Sequence, residues 1–182
     1  GLSEGRIVML EPRRLAARQV ASRMAEMLGE PVGRRVGYRV RFESRVSDMT
    51  HVEVITEGIM ERMLIEDPTL EGVSVVIFDE FHERSLSSDT SLALALEAQQ
   101  VIRPDLQIIL MSATIDTATL CQRLDAPSIS SSGRMHDVGI IHGEDYDPRD
   151  CAAVVARAVV RAHREQDGDI LVFLPGQAEI VR

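Results

Sequence analysis

Asp79-Glu80-Phe81-His82 follows directly on Val73–Phe78, a run dominated by β-branched residues. Two adjacent carboxylates at the end of a hydrophobic strand suit one kind of chemistry in particular. Hydrolysis of a nucleoside triphosphate needs a carboxylate that holds hydrated Mg²⁺, an ion that prefers oxygen ligands and keeps its water. It also needs a second group to orient the attacking water and take its proton. One acid of the pair could face the metal and the other the terminal phosphate. An acidic turn that simply caps the next helix fits the same residues, with His82 as an ordinary polar side chain. Zinc fits less well, because the five histidines (51, 82, 136, 142 and 163) show no ligand spacing.

The basic residues restrict the chemistry further. All twenty are arginine, and no lysine occurs anywhere in the 182 residues. These residues therefore supply no Schiff-base lysine, no lysine general base and no phosphate-loop lysine. A net charge of −9 argues against a protein that coats nucleic acid along its whole surface. The charge is unevenly spread, however. Residues 1–49 hold ten arginines against six acids, and residues 50–182 hold ten against 23. A basic first quarter on an acidic body can grip a polyanion locally, although a solvated arginine-rich helix face gives the same count.

The elements that must position these groups can be read from periodicity. Arg6–Leu10 predicts a strand, and Pro12 opens a helix whose apolar residues run from Leu15 to Leu28 before Gly29 stops it. Further strands are predicted at Val36–Phe42, Val52–Ile55, Val73–Phe78 and Leu106–Met111, with helices over about 59–66 and 87–102. Ser130-Ser131-Ser132-Gly133 sits in a softer stretch, residues 128–137, that reads as a connector. Beyond it come expected strands near Val138–Ile141 and Asp169–Leu174, with a helix over about 149–164 between them. Strands alternating with helices imply right-handed crossovers and an α/β fold with a mostly parallel, doubly wound sheet. Ligands in such sheets bind at the carboxyl ends of the strands. No apolar run approaches the ~20 residues of a membrane span. Cys121 and Cys151 form no framework, which points to a reducing, cytoplasmic compartment.

Val75 to Ser85, reading VVIFDEFHERS, resembles the second motif of DEAH-box helicases, with Phe81 in place of the usual alanine. Other blocks match in order. Leu10–Ala17, reading LEPRRLAA, is similar to motif Ia; Thr56-Glu57-Gly58-Ile59-Met60 is similar to motif Ib; Met111-Ser112-Ala113-Thr114 is similar to motif III. Val36–Glu43 and Asp169–Gln177 also fit family blocks, and the set resembles the bacterial HrpB-type branch most. Asp137 stands where the connector usually has proline.

This resemblance implies an ATP-dependent helicase acting on nucleic acid, most often RNA. Residues 1–127 would be part of a first RecA-like lobe, 128–137 the connector and 138–182 the start of a second lobe. Asp79 would hold Mg²⁺ through water and Glu80 would polarise the attacking water beside ATP. His82 with Ser112, Ala113 and Thr114 would link the nucleotide to the RNA path. Arg13, Arg14, Thr56, Glu57 and Gly58 would grip nucleic-acid backbone, since both segments precede helices whose exposed N–H groups suit phosphate. The family's Gly-Lys-Thr or Gly-Lys-Ser loop would precede the first residue, and its arginine-finger motifs would follow the last. The chain therefore reads as an internal piece of a helicase, expected to be inactive alone. A non-enzymatic nucleic-acid-binding module and a metal-dependent phosphate esterase using Asp79, Glu80 and His82 remain as alternatives.

Overall fold

The computed structural model describes residues 5–113, 117–131, 133, 136–143, 145, 147 and 150–181. The chain divides into two compact units, Gly1–Ile129 and Ser130–Arg182. In the first, six strands make one sheet: β1 (Arg6–Glu11), β2 (Val36–Val40), β3 (Glu43–Arg45), β4 (Val52–Thr56), β5 (Val73–Phe78) and β6 (Gln107–Leu110). Their order is β3-β2-β4-β1-β5-β6. Every pairing is parallel except β2 with β3, which run antiparallel. The expected α/β sheet is therefore present, with an antiparallel edge.

Helices α1 (Arg14–Met27), α2 (Glu57–Glu66) and α3 (Leu86–Val101) cover the sheet. Alanines 17, 21 and 25 of α1 recur every fourth residue and pack on Val36, Tyr38, Val40 and Val54. The other core joins Met60 and Leu64 of α2 and Leu92 and Ala95 of α3 to Val8, Leu10, Ile55, Val76 and Phe78. Successive side chains of a strand point to opposite faces, so Val54 belongs to one core and Ile55 to the other. A sheet buried on both faces explains why β5 is almost continuously apolar.

Local chemistry sets the boundaries. Gly29 has φ of 66°, and the N–H groups of Gly29 and Glu30 donate to the carbonyls of Glu26 and Ala25. This is the Schellman closure that favours glycine at the end of α1. At the other end Pro12 stands outside the helix, and Arg13 is the extended cap residue. The predicted strand over 36–42 stops at Val40, because Arg41-Phe42 forms a two-residue turn into β3. Helix α2 starts at Glu57, two residues earlier than the periodicity suggests. β3 and helix α4 (Thr117–Leu124) add to the elements read from the sequence. Two acids on the strands are buried, Glu11 on β1 and Glu53 on β4, and Glu53 is held by Arg39 at 2.6 Å and Arg6 at 3.6 Å.

Arg103 ties the loop before β6 to the loop before β5. Its guanidinium donates to the carbonyls of Thr69, Leu70 and Val73 and forks onto both carboxylate oxygens of Asp105. Lysine has no planar fork with which to satisfy this arrangement. Arg103→Ala is expected to cost about 2–3 kcal/mol of unfolding free energy, since charged hydrogen bonds are lost and carbonyls are left unpaired. Arg103→Lys should recover little of it. Urea unfolding of the three proteins checks both statements.

The second unit holds α5 (Cys151–Glu165) and α6 (Gln177–Val181). Helix α5 matches the helix expected there, although Arg149 lies outside the described residues. The strands expected at Val138–Ile141 and Asp169–Leu174 pair with nothing among the described residues. A strand exists through its ladder, and these segments have none. Ile140, Ile141, Leu171 and Phe173 accordingly stand exposed. Among the described residues, no helix is long and apolar enough to cross a membrane.

Candidate functional site

Four neighbouring strands deliver the singled-out residues to one edge of the sheet. β4 ends at Thr56, β1 at Glu11, β5 at Phe78 before Asp79, and β6 at Leu110 before Met111 and Ser112. The register aligns Glu11 with Thr56, Leu10 with Phe78, and Phe78 with Leu110. The carboxyl edge of a parallel sheet is where such folds take their ligands.

The turn after β5 is anchored through its backbone. Asp79 N–H donates to Leu10 O at 3.1 Å, Met111 N–H to Phe78 O at 2.8 Å, and Phe81 N–H to Met111 O at 3.0 Å. Phe81–Glu83 then makes a single 3₁₀ turn. Both flanking residues are left-handed, Glu80 at φ 50° and Arg84 at φ 51°. Non-glycine residues there cost about 1–2 kcal/mol each, so surrounding contacts must hold the turn. Phe81 explains its own presence in place of alanine. Its ring is buried, packs edge-on against Phe78 at 6.4 Å between centroids, and is covered by the Arg84 guanidinium.

Asp79 is half-buried, and its Oδ1 accepts the N–H of Glu80 at 2.8 Å. Glu80 is exposed. His82 Nδ1 is buried 3.4 Å from Glu80 Oε2 and has no hydrogen-bond partner among the described residues. Ser112 and Ala113 are exposed beside the turn, and Thr114 lies outside the described residues.

Glu11 was not a candidate in the sequence, yet it lies in this cluster. It is 3% exposed and hydrogen-bonds the Asp79 side chain. Burial chiefly, then the bond to Asp79 and the charges of Asp79, Glu80 and Glu83, push its carboxyl up to about 7. A charged residue directly after the apolar run Ile7–Leu10 was the available signal. An acid with a raised folded pKa contributes stability in full below its ordinary value of 4.5, lost as pH rises through about 7. Unfolding free energy should therefore fall from pH 5 to pH 8 by about 2–3 kcal/mol more than in Glu11→Gln. Denaturant titrations at the two pH values test this, and parallel curves for the two proteins would contradict it.

The two arginine- and threonine-led segments start helices that lack side-chain caps. Neither Arg13 before α1 nor Thr56 before α2 bonds the free N–H groups of its helix. Helix α3, in contrast, is capped by Ser85, whose hydroxyl accepts Ser88 N–H at 2.9 Å. Arg13 and Arg14 are both exposed; Arg13 pairs with Glu83 at 3.0 Å, and Arg14 makes no ion pair among the described residues. Among the described residues, nothing stands within 4 Å of where a Gly58 side chain would project. Glu57 is committed elsewhere, accepting the Ser85 hydroxyl at 2.6 Å.

The family described as DEAD/DEAH box helicase matches residues 2–122, which cover the sheet and this edge. The chain belongs to the DEAD/DEAH box helicase family. It is similar to two proteins of Escherichia coli (strain K12). The ATP-dependent RNA helicase HrpB is 48% identical over 98% of the chain and 22% of its own length. The ATP-dependent RNA helicase HrpA is 41% identical over 97% of the chain and 14% of its own length. A crystal structure of the E. coli DEAH/RHA helicase HrpB superimposes with a TM-score of 0.85 at 47% identity, covering 97% of the chain and 23% of that structure. Another, of the E. coli DExH-box NTPase HrpB, gives 0.76 at 46% identity, over 97% of the chain and 22% of that structure. The helicase chain thus spans about a fifth of HrpB and less of HrpA.

Proposed function

We propose that this helicase chain belongs to an ATP-dependent RNA helicase of the DEAH-box type, and that Asp79 and Glu80 serve its hydrolytic step. The observation that carries the reading is the convergence on one sheet edge of a paired-carboxylate turn and two uncapped helix starts, the first of which carries the exposed Arg13 and Arg14. A hard cation fits the donors present, because Asp79 and Glu80 offer only carboxylate oxygens. Asp79 would hold Mg²⁺ through water, and the ion when bound would neutralise charge on the phosphates of ATP. Glu80 would orient a water and take its proton as the water oxygen bonds to the terminal phosphorus and the bond to ADP breaks. His82, Ser112, Ala113 and Thr114 would pass the state of that site to the nucleic acid. Arg14, Arg13 and the N–H groups at Thr56–Gly58 would hold phosphates of single-stranded RNA.

In the same reading, residues 1–127 are part of a first lobe, 128–137 the connector and 138–182 the beginning of a second lobe. A cytoplasmic location agrees with two cysteines that make no disulfide framework. The test is displacement of a labelled strand from an RNA duplex with a single-stranded overhang, using the full-length protein, ATP and Mg²⁺. Displacement that requires both ATP and Mg²⁺ is expected. RNA binding without displacement or phosphate release would instead favour the non-enzymatic binding module.

A further inference from the structure

We propose that Glu57 is a positioning residue, which carries nucleic-acid occupancy at the start of α2 to the catalytic turn through its bond to Ser85. The inference rests on the reading of Asp79–His82 as the hydrolytic turn and deepens it by giving that turn a mechanical input.

Glu57 is the first residue of α2 and follows directly on β4. Its carboxylate is a poor group for gripping phosphate, being of the same sign. The structure turns it to another use, since Oε2 accepts the Ser85 hydroxyl at 2.6 Å across 28 residues of chain. Ser85 is the residue after the second left-handed position of the turn, and its oxygen also caps α3 at Ser88. One hydroxyl therefore joins three things: the start of α2, the end of the catalytic turn and the start of α3.

The turn itself needs such restraints. Glu80 and Arg84 are held left-handed without being glycine, a conformation that persists only when neighbouring contacts over-determine it. The Phe81 ring packed on Phe78 and Asp79 bound to Glu80 N–H restrain it, and four polar ties from other segments add to them. Phe81 N–H is bound by Met111 O, Arg84 forks onto Asp89, Glu83 pairs with Arg13, and Ser85 bonds Glu57. Two of these four ties come from the segments proposed to meet nucleic acid. The Arg13–Glu83 pair is largely exposed and is worth little by itself. The Glu57–Ser85 bond is part-buried and charge-assisted, which makes it the stronger of the two.

A phosphate at the free N–H groups of α2 would lie beside the Glu57 carboxylate and alter how firmly that carboxylate holds Ser85. Any shift of Ser85 is passed through Arg84 to Glu80, whose carboxylate must face the attacking water. Coupling of this kind requires a bond that both sites bias, and the Glu57–Ser85 bond lies between them.

The experiment uses the full-length protein and reads the ratio of ATP hydrolysis with saturating single-stranded RNA to that without. Glu57→Ala and Ser85→Ala should each lower this ratio about tenfold, within the range of coupling between linked sites, and the double variant should be no worse than either. Ser85→Thr should restore the ratio, because its hydroxyl can still donate to Glu57 and accept from Ser88. Glu57→Ala leaves the α3 cap untouched, so it decides the matter even where Ser85→Ala fails to fold. A wild-type ratio in Glu57→Ala, independent effects that multiply in the double variant, or a Ser85→Thr that behaves as Ser85→Ala would each overturn the proposal. If the wild-type protein hydrolyses no ATP in RNA, the reading of the turn fails and the proposal falls with it. If wild type is stimulated and Glu57→Ala equally so, only the proposal falls.

Discussion

Glu80→Gln in the full-length protein should slow ATP hydrolysis by about 10²-fold or more while ATP affinity stays close to wild type, as expected for loss of a positioned general base. The amide has the size of the carboxylate, so the left-handed turn and its bonds have no steric reason to change. The backbone N–H of residue 80 still donates to Asp79, which keeps that carboxylate in place. The capacity to take a proton is removed together with the negative charge of the carboxylate. Hydrolysis measured as phosphate release, beside binding of a fluorescent ATP analogue, separates the two effects. Near-normal turnover would end the assignment of Glu80.

Replacing Arg13 and Arg14 together by alanine should weaken binding of single-stranded RNA by about tenfold or more at low salt, for all sequences alike. The slope of log affinity against log salt should flatten by about one for each phosphate that is no longer neutralised. The two arginines are not equivalent. Arg14 stands exposed with no ion pair among the described residues, so its guanidinium is free to meet a phosphate directly. Arg13 must leave Glu83 to do the same, and its removal also frees Glu83 at the turn. Arg14→Ala alone should therefore give the larger share of the binding defect. An unchanged salt slope in the double variant would return both arginines to a solvated helix face.

The legible parts of the fold were those fixed by strong local signals. β5 is read to the residue because a strand buried on both faces must be apolar throughout. Helix α1 is bounded by a glycine in the left-handed region, and α3 by a serine cap. What escaped depended on distant partners. β3 is only three residues long and exists through its pairing with β2. Val138–Ile141 and Asp169–Leu174 have strand-like composition, which is not enough without a ladder. The carboxylate turn was legible as a pair of acids after a strand. Its neighbours were not: Glu11 reaches Asp79 from an adjacent strand, Glu57 reaches Ser85 from the helix after another, and only the register of a folded sheet brings them together. Phe81 shows the same limit in reverse. It departs from the family pattern in sequence, and the structure makes it the wedge that fixes the turn against Phe78.

The central claim is that Asp79 and Glu80 serve one hydrolytic site at the carboxyl edge of the sheet. The most direct measurement is a crystal structure of the full-length protein with ADP, Mg²⁺ and beryllium fluoride standing for the terminal phosphate. Mg²⁺ is expected to be held through a water on Asp79, with Glu80 in hydrogen-bond reach of a water facing the beryllium. Nucleotide and metal bound away from both carboxylates would contradict the claim.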